Sequence, residues 1–212
     1  AADGIAAGLQ HYGYSRLTVV VSERGHYSLS KAADVLGIGR RNLVSVPTDS
    51  NNRIRIDKLR ETCESIAAEG GKVLALVGVA GTTETGHIDP LDEMADVAED
   101  IGAHFHIDAA WGGATLLSEQ HRSLLHGVER ADSITIDAHK QMYVPMGAGL
   151  VLFKNPSLVK SIEHHAEYII RQGSKDLGSH TMEGSRAGMA MMVFSAMHVI
   201  GRRGYELLIN NS

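Results

Sequence analysis

Cross-linking sulfur is almost absent: the 212 residues include one cysteine, Cys63, so no internal disulfide can form, which agrees with a reducing compartment. Excess positive charge is lacking too. Lys and Arg number 20 against 25 Asp and Glu, and basic residues come only in pairs such as Arg40 with Arg41 or Arg202 with Arg203. Without a cationic stripe, nucleic acid is excluded as a partner. No apolar run approaches the roughly 20 residues needed to cross a bilayer, and the first residues show neither a basic nor an apolar leader segment. These gaps predict a soluble, cytoplasmic protein that does not enter a membrane. Internal repeats and low-complexity tracts are also missing. The opening residues, Ala-Ala-Asp-Gly-Ile-Ala-Ala-Gly-Leu, read as the inside or end of a helix, so the chain is expected to be a fragment of something longer.

What is present is enough apolar material, 43% of the residues, for one domain with a sizeable core. Short β-branched runs bounded by polar or glycine-containing turns recur at 17–21, 43–46, 73–79, 104–107 and 133–136, and these read as strands. Helical spacing fills the gaps at 28–36, 57–68 (Leu59, Cys63, Ile66 and Ala67 on one side) and 90–101. Such alternation predicts an α/β fold with a mostly parallel sheet flanked by helices. Residues 147–153 read as a further strand, antiparallel in a mixed sheet, and Pro156 starts a helix. From Arg186 onward, Met189, Met192, Val193, Ala196, Met197 and Ile200 follow helical spacing as core residues, with an end near Gly201. The polar, glycine-bearing segment 171–184 reads as a mobile loop.

In open α/β sheets ligands gather at the carboxyl ends of strands. The polar residues of this chain cluster there: His26 after the first strand, Thr82 and Thr83 after the third, Asp108 with Ala110 at the fourth, His139 with Lys140 after the fifth. A lysine beside a histidine and near a buried carboxylate can lose its proton and attack an aldehyde, which is Schiff-base chemistry. A carboxylate facing a pyridine nitrogen keeps it protonated and makes the ring an electron sink, a role for Asp108. An imidazole can stack on such a ring, and threonine hydroxyls suit its edge or a phosphate.

Four stretches carry a resemblance to a known family. They are Ser-Glu-Arg-Gly-His-Tyr-Ser (22–28), Ala-Gly-Thr-Thr-Glu (80–84), His-Ile-Asp-Ala-Ala-Trp-Gly-Gly (106–113) and Ala-Asp-Ser-Ile-Thr-Ile-Asp-Ala-His-Lys (131–140). Together they resemble the group II decarboxylases of fold type I that depend on pyridoxal 5'-phosphate (PLP), among them glutamate and aromatic amino-acid decarboxylases. The resemblance implies that Lys140 holds the cofactor as a Schiff base, Asp108 pairs with the ring nitrogen and His26 stacks on the ring. It further implies that Thr83 and Ala110 contact the cofactor and that His139 reaches towards phosphate or substrate, and Thr82 is expected among the cofactor-binding residues. The interval of 140 − 108 = 32 residues suits a strand, loop, helix and next strand. On this reading residues 1–155 are the central part of the PLP-binding large domain. Residues 156–212 are a helical continuation with a mobile loop, leading towards a C-terminal domain that is missing. A homodimer with its active site near the interface is implied as well.

The chain departs from the family in three places. The glycine- and hydroxyl-rich phosphate turn that the family carries upstream has no equivalent here. Asp137 stands where many members have asparagine, and its charge would repel a phosphate unless it is paired. No tyrosine lies between Arg171 and Arg186 to act as proton donor; Tyr168 comes earlier, while His180 is in the loop and could donate a proton. Arg186 could clamp a substrate carboxylate. The wording of residues 183–212 is similar to the bacterial aspartate 1-decarboxylase or glutamate decarboxylase-like branch, which implies an acidic amino acid; diaminobutyrate or an aromatic amino acid fits the same core. An alternative of another class is a metal-dependent hydrolase, because His104, His106 and Asp108 alternate on one strand face. Against it, Asp108 is followed by Ala109 and Ala110 and the Lys140 motif would go unexplained, so no metal is expected. A non-catalytic fragment that keeps the fold is a third possibility.

Overall fold

The computed structural model describes residues 4–166, 173 and 177–212. Tyr168, Arg171 and part of the loop expected at 171–184 therefore lie outside the described residues. The chain order is α1 (Gly4–Tyr12), β1 (Leu17–Ser22), α2 (Ser28–Val35), β2 (Leu43–Val46), α3 (Ile56–Ala68), β3 (Lys72–Val79), α4 (Leu91–Ile101), β4 (His104–Asp108), β5 (Ser133–Asp137), β6 (Gly149–Phe153) and α5 (Met189–Asn210). The strands form one six-stranded sheet in the order β2-β1-β3-β4-β5-β6. All neighbours are parallel except β5 and β6, whose short connection permits an antiparallel pair, as the sequence led us to expect.

Period-two alternation assigns the two faces. Val20, Leu76, Phe105 and Ile107 point to the side where α3 and α4 lay Leu59, Cys63, Ile66, Leu91 and Met94, and together they form the main core. Burial there pushes the Cys63 thiol up to about 11, so it packs as a small apolar group. On the opposite face Val21, Val77 and Val79 pack against Leu29 of α2. That covering is narrow, and the same face carries the polar residues His104, His106 and Asp108 of β4 beside Ser133, Thr135 and Asp137 of β5.

Helix α5 runs on beyond its expected end. Gly201 (φ 65°, ψ 172°) is a kink, and the helix continues to Asn210 because Tyr205 and Ile209 are buried against Met142 and Val144. Met189, Val193, Ala196 and Ile200 pack on that cluster. Met192 and Met197, expected in the core, flank the buried stripe and are about half exposed. Pro156 opens only a 3₁₀ stretch, Pro156–Ile162, where Asn155 Oδ1 accepts from Ser157 N–H at 3.0 Å. Among the described residues no helix is long and apolar enough to cross a membrane.

Candidate active site

Strand order reverses between β1 and β3, and a crevice opens there at the carboxyl ends of the strands. It holds a cavity of about 290 Å3 walled by Arg24 and His26 after β1, Gly81 and Thr83 after β3, Asp108 and Ala110 at β4, and Asp137 and Lys140 at β5. Local turn chemistry aims each group. After β1, Gly25 N–H bonds Ser22 O at 2.8 Å and Arg24 N–H bonds Ser22 Oγ at 3.1 Å, a tight reversal that brings His26 to the wall. Ser28 N–H points at His26 Nδ1 at 3.3 Å, so Nδ1 accepts and the neutral ring keeps its proton on Nε2.

After β4 the chain is pinned to its neighbours: Gly112 N–H donates to Ala80 O at 3.0 Å. A Cβ on Gly112 would lie 2.4 Å from that oxygen, which is why the turn needs glycine. Asp108 Oδ1 accepts from Ala110 N–H at 3.1 Å, fixing the plane of the carboxylate. After β5, Lys140 N–H closes a turn on Asp137 O at 3.1 Å and swings the amine back over the sheet. There Lys140 Nζ lies 2.9 Å from Asp137 Oδ2, and His139 Nε2 lies 3.6 Å from the same oxygen. The anion at position 137 is thus paired.

Of the residues singled out from sequence, His26, Thr83, Asp108, Ala110 and Lys140 meet on this cavity. Thr82 and His139 are not among its lining. Thr82 is buried and holds the β3 turn, Oγ1 accepting from His87 N–H at 3.1 Å, and His139 Nδ1 donates to Ala148 O at 2.9 Å. Arg186 and His180 also stand off the wall. Arg186 bonds Thr181 Oγ1 at 3.1 Å within its own segment, while His180 Nδ1 bonds Ser179 Oγ at 2.7 Å. Sequence reasoning missed Arg24, which lay inside a quoted motif, and Thr135, whose period-two spacing with Asp137 was the available signal.

The metal alternative meets an obstacle in the same geometry. His104 and His106 spend nitrogens on Ser133 Oγ at 2.7 and 2.8 Å, and among the described residues no three His, Cys, Asp or Glu side chains are grouped to hold an ion. The donor set of the cavity, an amine, a carboxylate on the sheet, an imidazole and a hydroxyl, instead fits a pyridoxal ring with its aldehyde and its ring nitrogen.

Comparison with known proteins gives the same direction. Residues 7–212 match the family described as "Pyridoxal-dependent decarboxylase conserved domain". The chain is 62% identical over 212 residues to aspartate 1-decarboxylase of Aliivibrio fischeri, covering 100% of this chain and 39% of that protein. It is 33% identical over 198 residues to L-2,4-diaminobutyrate decarboxylase of Acinetobacter baumannii, covering 91% of this chain and 39% of that one. Among solved structures, mouse CSAD superposes with a TM-score of 0.85 at 31% identity, covering 95% of this chain and 44% of its own. The chain spans well under half the length of the curated relatives it matches.

Proposed function

The chain belongs to the pyridoxal-dependent decarboxylase family, and we propose that it forms the cofactor-binding core of an amino-acid decarboxylase with an acidic substrate, aspartate or glutamate. The observation that carries this reading is the meeting of Lys140, Asp108 and His26, from three separate strand ends, in one cavity. When bound, PLP supplies an electron sink for the carbanion left at the substrate Cα. Lys140 Nζ would hold the cofactor through its aldehyde, and to do so would have to leave Asp137 Oδ2. Asp108, its plane held by Ala110 N–H, would keep the ring nitrogen protonated. His26 would cover one face of the ring, with Thr83 towards its edge. Thr82 acts from behind by holding the β3 turn, and His139 stands behind the wall tied to Ala148 O.

An acidic substrate keeps one carboxylate after the other departs as carbon dioxide, and that group needs a cation. Arg24 offers it from the cavity wall, since its partner Glu84, 3.5 Å away and largely exposed, holds it weakly. Residues 1–155 are on this reading the central part of the large domain and 156–212 its helical continuation. A cytoplasmic homodimer with the site near its interface goes with the reading, and sedimentation of the purified protein tests the dimer.

The direct test is a visible spectrum with added PLP before and after borohydride, followed by peptide mapping. Reductive labelling at Lys140 is expected, and labelling elsewhere overturns the site. A decarboxylation panel decides the substrate: turnover of diaminobutyrate or an aromatic amino acid with aspartate and glutamate inert rejects the acidic assignment.

A further inference from the structure

Beside Asp108 the sheet carries a row of polar side chains that the proposed chemistry leaves unused. Parallel register sets His106 against Ser133 and Asp108 against Thr135. Ser133, 5% exposed, presents its hydroxyl 2.7 Å from His104 Nε2 and 2.8 Å from His106 Nδ1. Thr135 Oγ1 lies 3.3 Å from His106 Nε2, so hydroxyls engage both nitrogens of that ring. At the far end His104 Nδ1 lies 3.9 Å from Asp132 Oδ2. A hydroxyl has one proton and two lone pairs, so Ser133 donates to at most one of the two imidazoles and accepts an N–H from at least one. The tautomers of the two histidines are therefore coupled through that hydroxyl, since both rings cannot turn a bare nitrogen to it.

The charge state of His106 matters because of its neighbour. Burial pulls its proton affinity below the ordinary histidine value, with Asp108 opposing and His104 adding to the fall. The other titratable or charged groups around the same cavity are Arg24, His26, Asp137 and Lys140. A protonated His106 would put a cation beside Asp108 and compete with a pyridine nitrogen for that carboxylate. A neutral one does not.

We propose that His106, clamped between the Ser133 and Thr135 hydroxyls and tied through Ser133 to His104, is a positioning residue that keeps an uncharged edge against Asp108 and reserves that carboxylate for the cofactor ring nitrogen. The hydroxyl relay is a property of the chain itself; the role towards a ring nitrogen rests on the cofactor reading above.

Two measurements test it, with circular dichroism and thermal melting to show that each variant folds. In nitrogen-15 spectra of the cofactor-free protein, His106 should show one neutral tautomer at neutral pH. Ser133→Ala should mix its tautomers and alter those of His104. A protonated His106 in the wild type, or tautomers indifferent to Ser133→Ala, overturns the relay. With PLP added, the cofactor affinity of the wild type relative to His106→Asn, which cannot take up a proton, should fall roughly tenfold once the pH is low enough to protonate His106 beside Asp108. A variant profile parallel to the wild type overturns the positioning role alone. A wild type that binds no PLP overturns the proposed function, and the positioning role with it.

Discussion

Replacing Asp137 by asparagine should improve cofactor binding, contrary to the usual outcome of changing a residue beside a proposed Schiff-base lysine. The carboxylate lies 2.9 Å from Lys140 Nζ, with side chains 20% and 30% exposed. At an effective dielectric near 20 their attraction is about 6 kcal/mol, most of it cancelled by the cost of taking both ions partly out of water. A net of about 1 kcal/mol remains, so the amine should be free of its partner roughly fivefold more often once the charge is gone. The asparagine oxygen can still accept a hydrogen bond, so the β5 turn should survive. An anion that would repel a bound phosphate also disappears. Together these effects should tighten PLP binding by about tenfold and speed borohydride trapping at Lys140, both read from visible absorbance titrations on the purified protein. Equal or weaker affinity, with an unchanged rate of aldehyde modification at Lys140, would refute the reasoning.

Further expectations concern the frame that holds the site. Asp89 is buried and accepts Ile54 N–H at 2.7 Å and Val79 N–H at 2.9 Å, so Asp89→Ala should cost about 3 kcal/mol in urea unfolding by orphaning two donors. Burial pushes its carboxyl up to about 6, from 3.8, outweighing those two N–H groups. The folded state thus holds this proton more tightly than the unfolded chain. Its contribution is full below about pH 4 and is lost as pH rises through about 6, a swing on the order of 3 kcal/mol that Asp89→Asn should abolish in urea midpoints taken across that range. Tyr205→Phe should cost about 1 to 2 kcal/mol, because its hydroxyl donates to Met142 O at 3.1 Å inside the α5 cluster; an unchanged urea midpoint would deny that bond a role. Gly112→Ala should lower stability by about 1 to 3 kcal/mol and loosen cofactor binding, since backbone must move to admit the methyl group; calorimetry that finds no loss would contradict the close approach to Ala80 O.

Much of this protein can be read along the chain. The apolar, β-branched runs of β1, β3 and β5 and the helical spacing of α3 and α4 follow from local pattern, which reports what kind of element a segment forms. Polar clusters falling where those strands end located His26, Thr83, Asp108, Ala110 and Lys140 on one rim, because the carboxyl end of a parallel strand is where the backbone leaves the sheet and side chains can converge. Pairing between strands was not legible there. That Lys140 meets Asp137, that Thr82 and His139 stand behind the wall while Arg24 lines it, and that His106 shares Ser133 with His104 all depend on contacts closed in three dimensions. His106 and Ser133 are 27 residues apart, and only the register of β4 against β5 puts one hydroxyl between two imidazoles. Local pattern sets the direction of a side chain; the packing of distant segments decides which group stands at the end of it.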